Sequence, residues 1–265
     1  MGEVTLVQED GRLLLELSSE IGAPRFCPDF SSATMEVKIK DALKRRGLLL
    51  RAVEGKANLK SRGGFLKIFD FHSGFAQDAF LLAMAGHEVW SCEKHPLIAK
   101  VTQAAWEAQK GTAWIQQAAP RLRLIHGDSF EVLKDLAAEN FDVIYMDPMF
   151  EKLKQKSKSP LPMQIAQALL REEALPSFAA PTSELQKNLG SVAGSEGAFK
   201  NHFQDDGREL NSARISKDLP VGKDLEQVFA HAKKVVIKSP LKGPPVVERK
   251  PNYQLFGKTI RFDVF

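Results

Sequence analysis

From Leu66 onward the chain alternates short apolar runs with stretches whose apolar residues recur at helical spacing: LKIFDF, AQDAFLLAMAG, EVWSC, PLIAKVTQAAWEAQK, RLRLI, FEVLKDLAA and VIYM. Strand and helix in strict alternation with short links predict an α/β fold, a doubly wound, mostly parallel sheet with helices on both faces. After residue 219 the pattern resumes as a helix (KDLEQVFAHA), a strand (KVVIK), a Pro-rich turn and a terminal pair, NYQLF and KTIRFDVF. That pair reads as an antiparallel hairpin closing the sheet. Upstream, VTLVQEDGRLLLEL alternates apolar residues on both sides of Asp10-Gly11, a β-hairpin signal. Residues 33–53 have helical spacing with a basic face and read as one or two helices. Residues 171–219, rich in Ala, Ser, Gly and Asn with little periodicity, read as an insertion that is flexible or partly helical. The organisation expected is an N-terminal hairpin and basic helical element over 1–62, then the main domain over 63–265.

In such sheets ligands lie outside the carboxyl ends of the strands, near the point where strand order reverses. The first strand ends DFHSGFAQDAF, where Gly74 lets a ligand approach the backbone and the helix N-terminus favours negative charge. Neither the three-glycine dinucleotide pattern nor a P-loop is present, which argues against a pyrophosphate site. The second strand ends at Glu93, 23 residues after Asp70, the place of an acid that hydrogen-bonds a ribose diol. The third ends IHGDSFEVL, where Asp128 can accept from an adenine amino group or, with Glu131, form a capping box. The fourth strand, Val143 to Asp147, is followed by Pro148, Met149 and Phe150. Proline removes a donor, Asp147 adds a carboxylate and Phe150 offers a stacking face, a combination suited to an exocyclic amine on a planar base.

Composition narrows the setting. The 265 residues are 43% hydrophobic and 26% charged, an ordinary globular balance that can bury a full core. No apolar run approaches a membrane span and the start MGEVTLVQEDGR is not a signal peptide, so a cytoplasmic protein is expected. Cys27 and Cys92 lack metal-ligand spacing and read as buried thiols, with no zinc and no structural disulfide. The net charge of +4 is unevenly spread: nine Lys or Arg against three acids lie between Glu36 and Arg62, among them Lys38, Lys40, Lys44, Arg45 and Arg46. A second cluster, Lys152, Lys154, Lys156 and Lys158, follows Phe150. Basic clusters beside an active site suit a polyanionic substrate, although lysine runs are also common on solvated faces.

Asp70 with its glycine turn, Glu93, Asp128 and DPMF together resemble a class I, Rossmann-like S-adenosyl-L-methionine-dependent methyltransferase of the amino-methylating type. More closely, RLRLIHGDSFEVL, VIYMDPMF, VVIKSPLKGPPV, GKTIRFDVF and the basic stretch PDFSSATMEVKIKDALKRRGLLLRAV resemble the RsmJ family of small-subunit ribosomal RNA guanine-N2 methyltransferases. The likeness runs from about Val4 to Phe265, the insertion excepted. Departures are Ala76 where the family has a second glycine, Gln77 for an arginine, Glu93-Lys94 for an acid-arginine pair, and Lys238-Ser239-Pro240 for KRP. The resemblance implies that Asp70, Gly74, Gln77 and Asp78 border the cofactor, that Glu93 and Lys94 meet its ribose side, and that Asp128 and Ser129 meet its adenine. It implies that Asp147 and the Pro148 carbonyl accept hydrogen bonds from the target amine while Phe150 stacks on the base. The basic helix, the lysine loop and Lys238 would hold RNA, either ribosomal RNA or the small ribosomal subunit. An acceptor turn serves any exocyclic amine, so methylation of adenine or cytosine in another nucleic acid stays open on DPMF alone, as does a degenerate fold that only binds RNA.

Overall fold

The computed structural model describes residues 3–20, 22–55, 64–136, 139–148, 159–173, 228–242 and 245–265. Met149, Phe150, the lysine loop 152–158, nearly all of the 171–219 insertion and the first half of the helix read at 223–232 lie outside the described residues.

Seven strands form the main sheet: β4 (Lys67–Asp70), β5 (Glu88–Glu93), β6 (Leu122–His126), β7 (Phe141–Met146), β8 (Ala232–Pro240), β9 (Tyr253–Phe256) and β10 (Ile260–Val264). Their order is β6-β5-β4-β7-β8-β10-β9, with the first five parallel and the terminal hairpin antiparallel, as the sequence predicts. Successive residues of the central strands feed opposite cores. Ile68, Val143, Tyr145 and Val236 join Phe80, Leu82 and Phe262 on one face, while Phe69, Ile144, Met146, Val235 and Ile237 join Phe71 and Trp90 on the other. Burial on both faces is why these strands read as continuous apolar runs rather than as alternation. The chain steps outward from β4 to β6 and then returns to β7 on the other side of β4, so the order reverses between β4 and β7. The strand ends flanking that reversal carry Asp70 and Asp147.

The connecting helices are α3 (Gln77–Met84), α4 (Pro96–Gln109) and α5 (Ser129–Asp135). Ahead of the sheet, β1 (Val4–Glu9) and β2 (Arg12–Leu17) form the expected hairpin, with Asp10 and Gly11 at φ 49° and 74°, the paired left-handed geometry of a tight hairpin turn. The basic segment forms two helices, α1 (Ala33–Arg45) and α2 (Leu48–Glu54); Ser32 caps the first and Arg46, in the left-handed region, ends it. Leu49, Leu50, Ala52 and Val53 of α2 enter the same core as Ile68.

One strand and one α-helix escaped the sequence reading. The strand β3 (Arg25–Phe26) adds to β2, and α6 (Leu161–Glu173) packs Ile165, Ala166 and Leu169 against Val4, Leu15 and Ile98. The prolines at 160 and 162 look like breakers, yet the second lies in the first helical turn, where a missing N–H costs nothing.

Candidate cofactor and substrate site

Asp70 closes β4 with only 1% of its surface exposed. Ser91 on β5 donates to its Oδ2 at 2.8 Å, and its Oδ1 is buried without a partner. Burial, with Asp78 and Asp147 adding repulsion, pushes the carboxyl up to about 8, so it keeps its proton at neutral pH. Such an acid holds a proton that the unfolded chain releases near 3.8, so stability falls as pH rises from about 4 to about 8. Each pH unit across that window removes up to about 1.4 kcal/mol. Asp70→Asn is therefore expected to match the wild type in thermal midpoint at or below about pH 4 and to exceed it at pH 9, and parallel curves would contradict a neutral Asp70.

The turn after β4 is tied on both sides. Phe71 N–H donates to the Tyr145 carbonyl and Ser73 N–H to the Cys92 carbonyl. Gly74 has φ 52° and a Cβ built there would meet nothing within 4 Å, so the turn is open on that side. Ala76 also takes the left-handed region, at φ 54°, and so keeps the backbone shape that a glycine would adopt freely. Burial pushes His72, in the same turn, down to about 4, which leaves the turn without a cationic side chain at neutral pH.

Glu93 ends β5 and braces this turn. Its Oε2 accepts from Gly74 N–H at 2.7 Å and its Oε1 from His95 N–H at 2.8 Å. Lys94 pairs with Asp128 at 2.9 Å. Asp128 caps α5 by accepting from Phe130 N–H; burial works against its charge, but Lys94 and that N–H outweigh it and hold the carboxyl below its usual range. The carboxylate of Glu131 pairs with Lys134. Ser129 is buried and donates to the Phe71 carbonyl at 2.6 Å, which locks the start of α5 to the first turn.

On the other side of the reversal, Lys238 on β8 lies 2.7 Å from Asp147 Oδ2 and 2.9 Å from Asp78 Oδ2. The sequence placed Lys238 with the RNA contacts, whereas the fold puts it between two acids of the site. Tyr145 donates its hydroxyl to the same Asp78 oxygen at 2.6 Å. Burial pushes the Asp147 carboxyl up more than Lys238 lowers it, and the two acids raise Lys238 against the effect of burial. Pro148 is buried behind Asp147, and Gln77 is exposed at the start of α3. Asp70, Gly74, Asp78, Glu93, Asp128 and Asp147 thus gather at one end of the sheet. Tyr145 and Ser91 were missed; a tyrosine inside a buried strand must find a partner for its hydroxyl, and that was the available signal.

Along α1, Lys40 pairs with Glu36 and Arg45 with Asp41, while Arg46 reaches Glu54. Lys38 and Lys44 are exposed and have no ion pair among the described residues.

An open glycine turn, a braced acid at the second strand tip and an acid-proline turn at the fourth define a S-adenosylmethionine-dependent methyltransferase, and residues 2–175 match the family model described as "Putative SAM-dependent methyltransferase". Within that class the chain belongs to the ribosomal RNA small subunit methyltransferase J family. The member from Agrobacterium fabrum is 31% identical, over 83% of this chain and 86% of the relative. That from Rhodopseudomonas palustris is 29% identical over 239 residues, 89% of this chain and 86% of the relative. A crystal structure of a SAM-dependent methyltransferase from Neisseria gonorrhoeae shares the fold, with a TM-score of 0.61 at 21% identity, covering 100% of this chain and 83% of that one. No helix among the described residues is long and apolar enough to cross a membrane.

Proposed function

We propose that this protein methylates the exocyclic N2 amine of a guanine in small-subunit ribosomal RNA. The observation that carries the reading is Asp147, which follows β7 across the strand reversal from the Asp70–Gly74–Glu93 turn. The residues present fit S-adenosylmethionine: the open side of Gly74 admits a ligand to the backbone, the Glu93 carboxylate at the tip of β5 is an acceptor suited to a ribose diol, and the Asp70 Oδ1 is buried without a hydrogen-bond partner beside that turn. Asp128 and the start of α5 stand on the adenine side, with Lys94 neutralising Asp128, while Gln77 and Asp78 border the opposite end. The left-handed backbone of Ala76 supports a functional turn rather than a degenerate one.

The cofactor supplies a methyl group activated by a sulfonium, so the protein has chiefly to orient and desolvate. Asp147 and the Pro148 carbonyl accept the N2–H bonds and aim the nitrogen lone pair. With the activated methyl supplied by the cofactor, Asp147 would hold the amine in line and would take up the proton that N2 releases on methylation. Orientation of this kind supplies up to about 7–11 kcal/mol of barrier reduction. A guanine amine must be splayed from its helix or lie in a single strand, and Phe150 is assigned the stacking face for it. Transfer of labelled methyl to small-subunit RNA, absent with large-subunit RNA, tests the substrate class.

Lys38 and Lys44 are the contacts proposed for the RNA backbone on α1. Replacing both by alanine is expected to reduce the slope of log binding constant against log salt by about 1–2, with the fold intact. An unchanged slope would move the RNA path to another face.

A further inference from the structure

We infer that Lys238 is a positioning residue for methyl transfer, acting through Asp147: it fixes the carboxylate and keeps it in its charged form. The inference rests on the function proposed above. Lys238 lies near the carboxyl end of β8, which pairs with β7 through Met146 and Ile237, so the register brings the lysine beside the residue that follows β7. Its ammonium bonds Asp147 Oδ2 and Asp78 Oδ2, and Tyr145 anchors Asp78 from β7. The chain Tyr145–Asp78–Lys238–Asp147 therefore spans α3, β7 and β8. Because the lysine occupies Oδ2, Asp147 presents Oδ1, which carries no hydrogen bond among the described residues, to an incoming amine.

The charge balance gives the lysine its consequence. Among the described residues, the ionisable groups around Asp147 are Asp78 from α3, Asp70 from β4, Tyr145 from β7 and Lys238 from β8. Of these only Lys238 is cationic. Without it, Asp78 and Asp147 would share a half-buried space with no countercharge from the described residues, and one of them would take a proton. A protonated Asp147 is a weaker acceptor for the N2–H of the target and can no longer take up the proton that N2 releases.

The test is a carbon-13 NMR titration of the Asp147 carboxyl, assigned with Asp147→Asn, in wild type, Lys238→Met and Lys238→Arg. It is paired with kcat against pH on small-subunit RNA. The midpoint and the acid limb of kcat are expected to rise together by at least one pH unit in Lys238→Met and to return toward wild type in Lys238→Arg. A midpoint that stays in place in Lys238→Met overturns the inference. Should that variant not fold, Lys238→Gln decides: it removes the charge and keeps a polar side chain, so the midpoint should rise as in Lys238→Met, and an unmoved one overturns the inference equally. A wild type inactive on RNA, with the midpoints moving as described, would instead refute the proposed function and leave the lysine's hold on Asp147 standing.

Discussion

Asp147→Asn is expected to remain folded, within about 1 kcal/mol of wild type at neutral pH, while methyl transfer falls by at least about 10²–10³-fold. Two arguments fix these signs. First, burial raises the Asp147 carboxyl, so its ionised form opposes folding as pH climbs past the ordinary value of 3.8. Asparagine removes that cost and loses only a partly exposed ion pair with Lys238. Second, the Lys238 ammonium is a donor 2.7 Å away, so an amide at this position turns its oxygen to the lysine and its NH2 group toward the substrate. Donor then faces donor where the N2 amine should be held. Thermal melting and a methyl-transfer assay on the same preparation check both halves; a loss of activity that merely follows a loss of fold would contradict this role.

Glu93→Ala should harm both the fold and cofactor binding. The carboxylate accepts two backbone N–H bonds, from Gly74 and His95, and so joins the β4–α3 turn to the β5–α4 turn. Losing two bonds to a charged acceptor is expected to cost about 3 kcal/mol, or roughly 6–12 °C in melting midpoint. The same change removes the acceptor assigned to the ribose diol, and cofactor affinity should fall by at least about 100-fold. Calorimetric titration with S-adenosylmethionine at a temperature well below the new midpoint separates the two effects. Unchanged affinity with lowered stability would reduce Glu93 to a brace between turns.

The sequence disclosed what is local. Apolar runs such as KIFD and VIYM announced strands buried on both faces, the Asp10-Gly11 pair announced a hairpin, and the acids at strand tips followed from the alternation itself. Contacts that join distant positions were hidden. Tyr145 meets Asp78 across 67 positions and Lys238 meets Asp147 across 91, and nothing in the neighbourhood of either residue announces the partner. For the same reason Lys238 read as one more basic residue for RNA. The proton on Asp70 is a consequence of depth: an aspartate at a strand end looks ionised until the surrounding Phe71, Ser91 and paired acids are in place. The β3 strand, two residues long, has no period to read, and α6 was masked by prolines that suit its first turn.

The most direct test of the central claim is nucleoside mass spectrometry of small-subunit ribosomal RNA from cells with and without the gene. The account predicts that one N2-methylguanosine disappears on deletion, returns with the wild-type gene, and stays absent with Asp147→Ala. An unchanged nucleoside profile on deletion, or full restoration by Asp147→Ala, would contradict it.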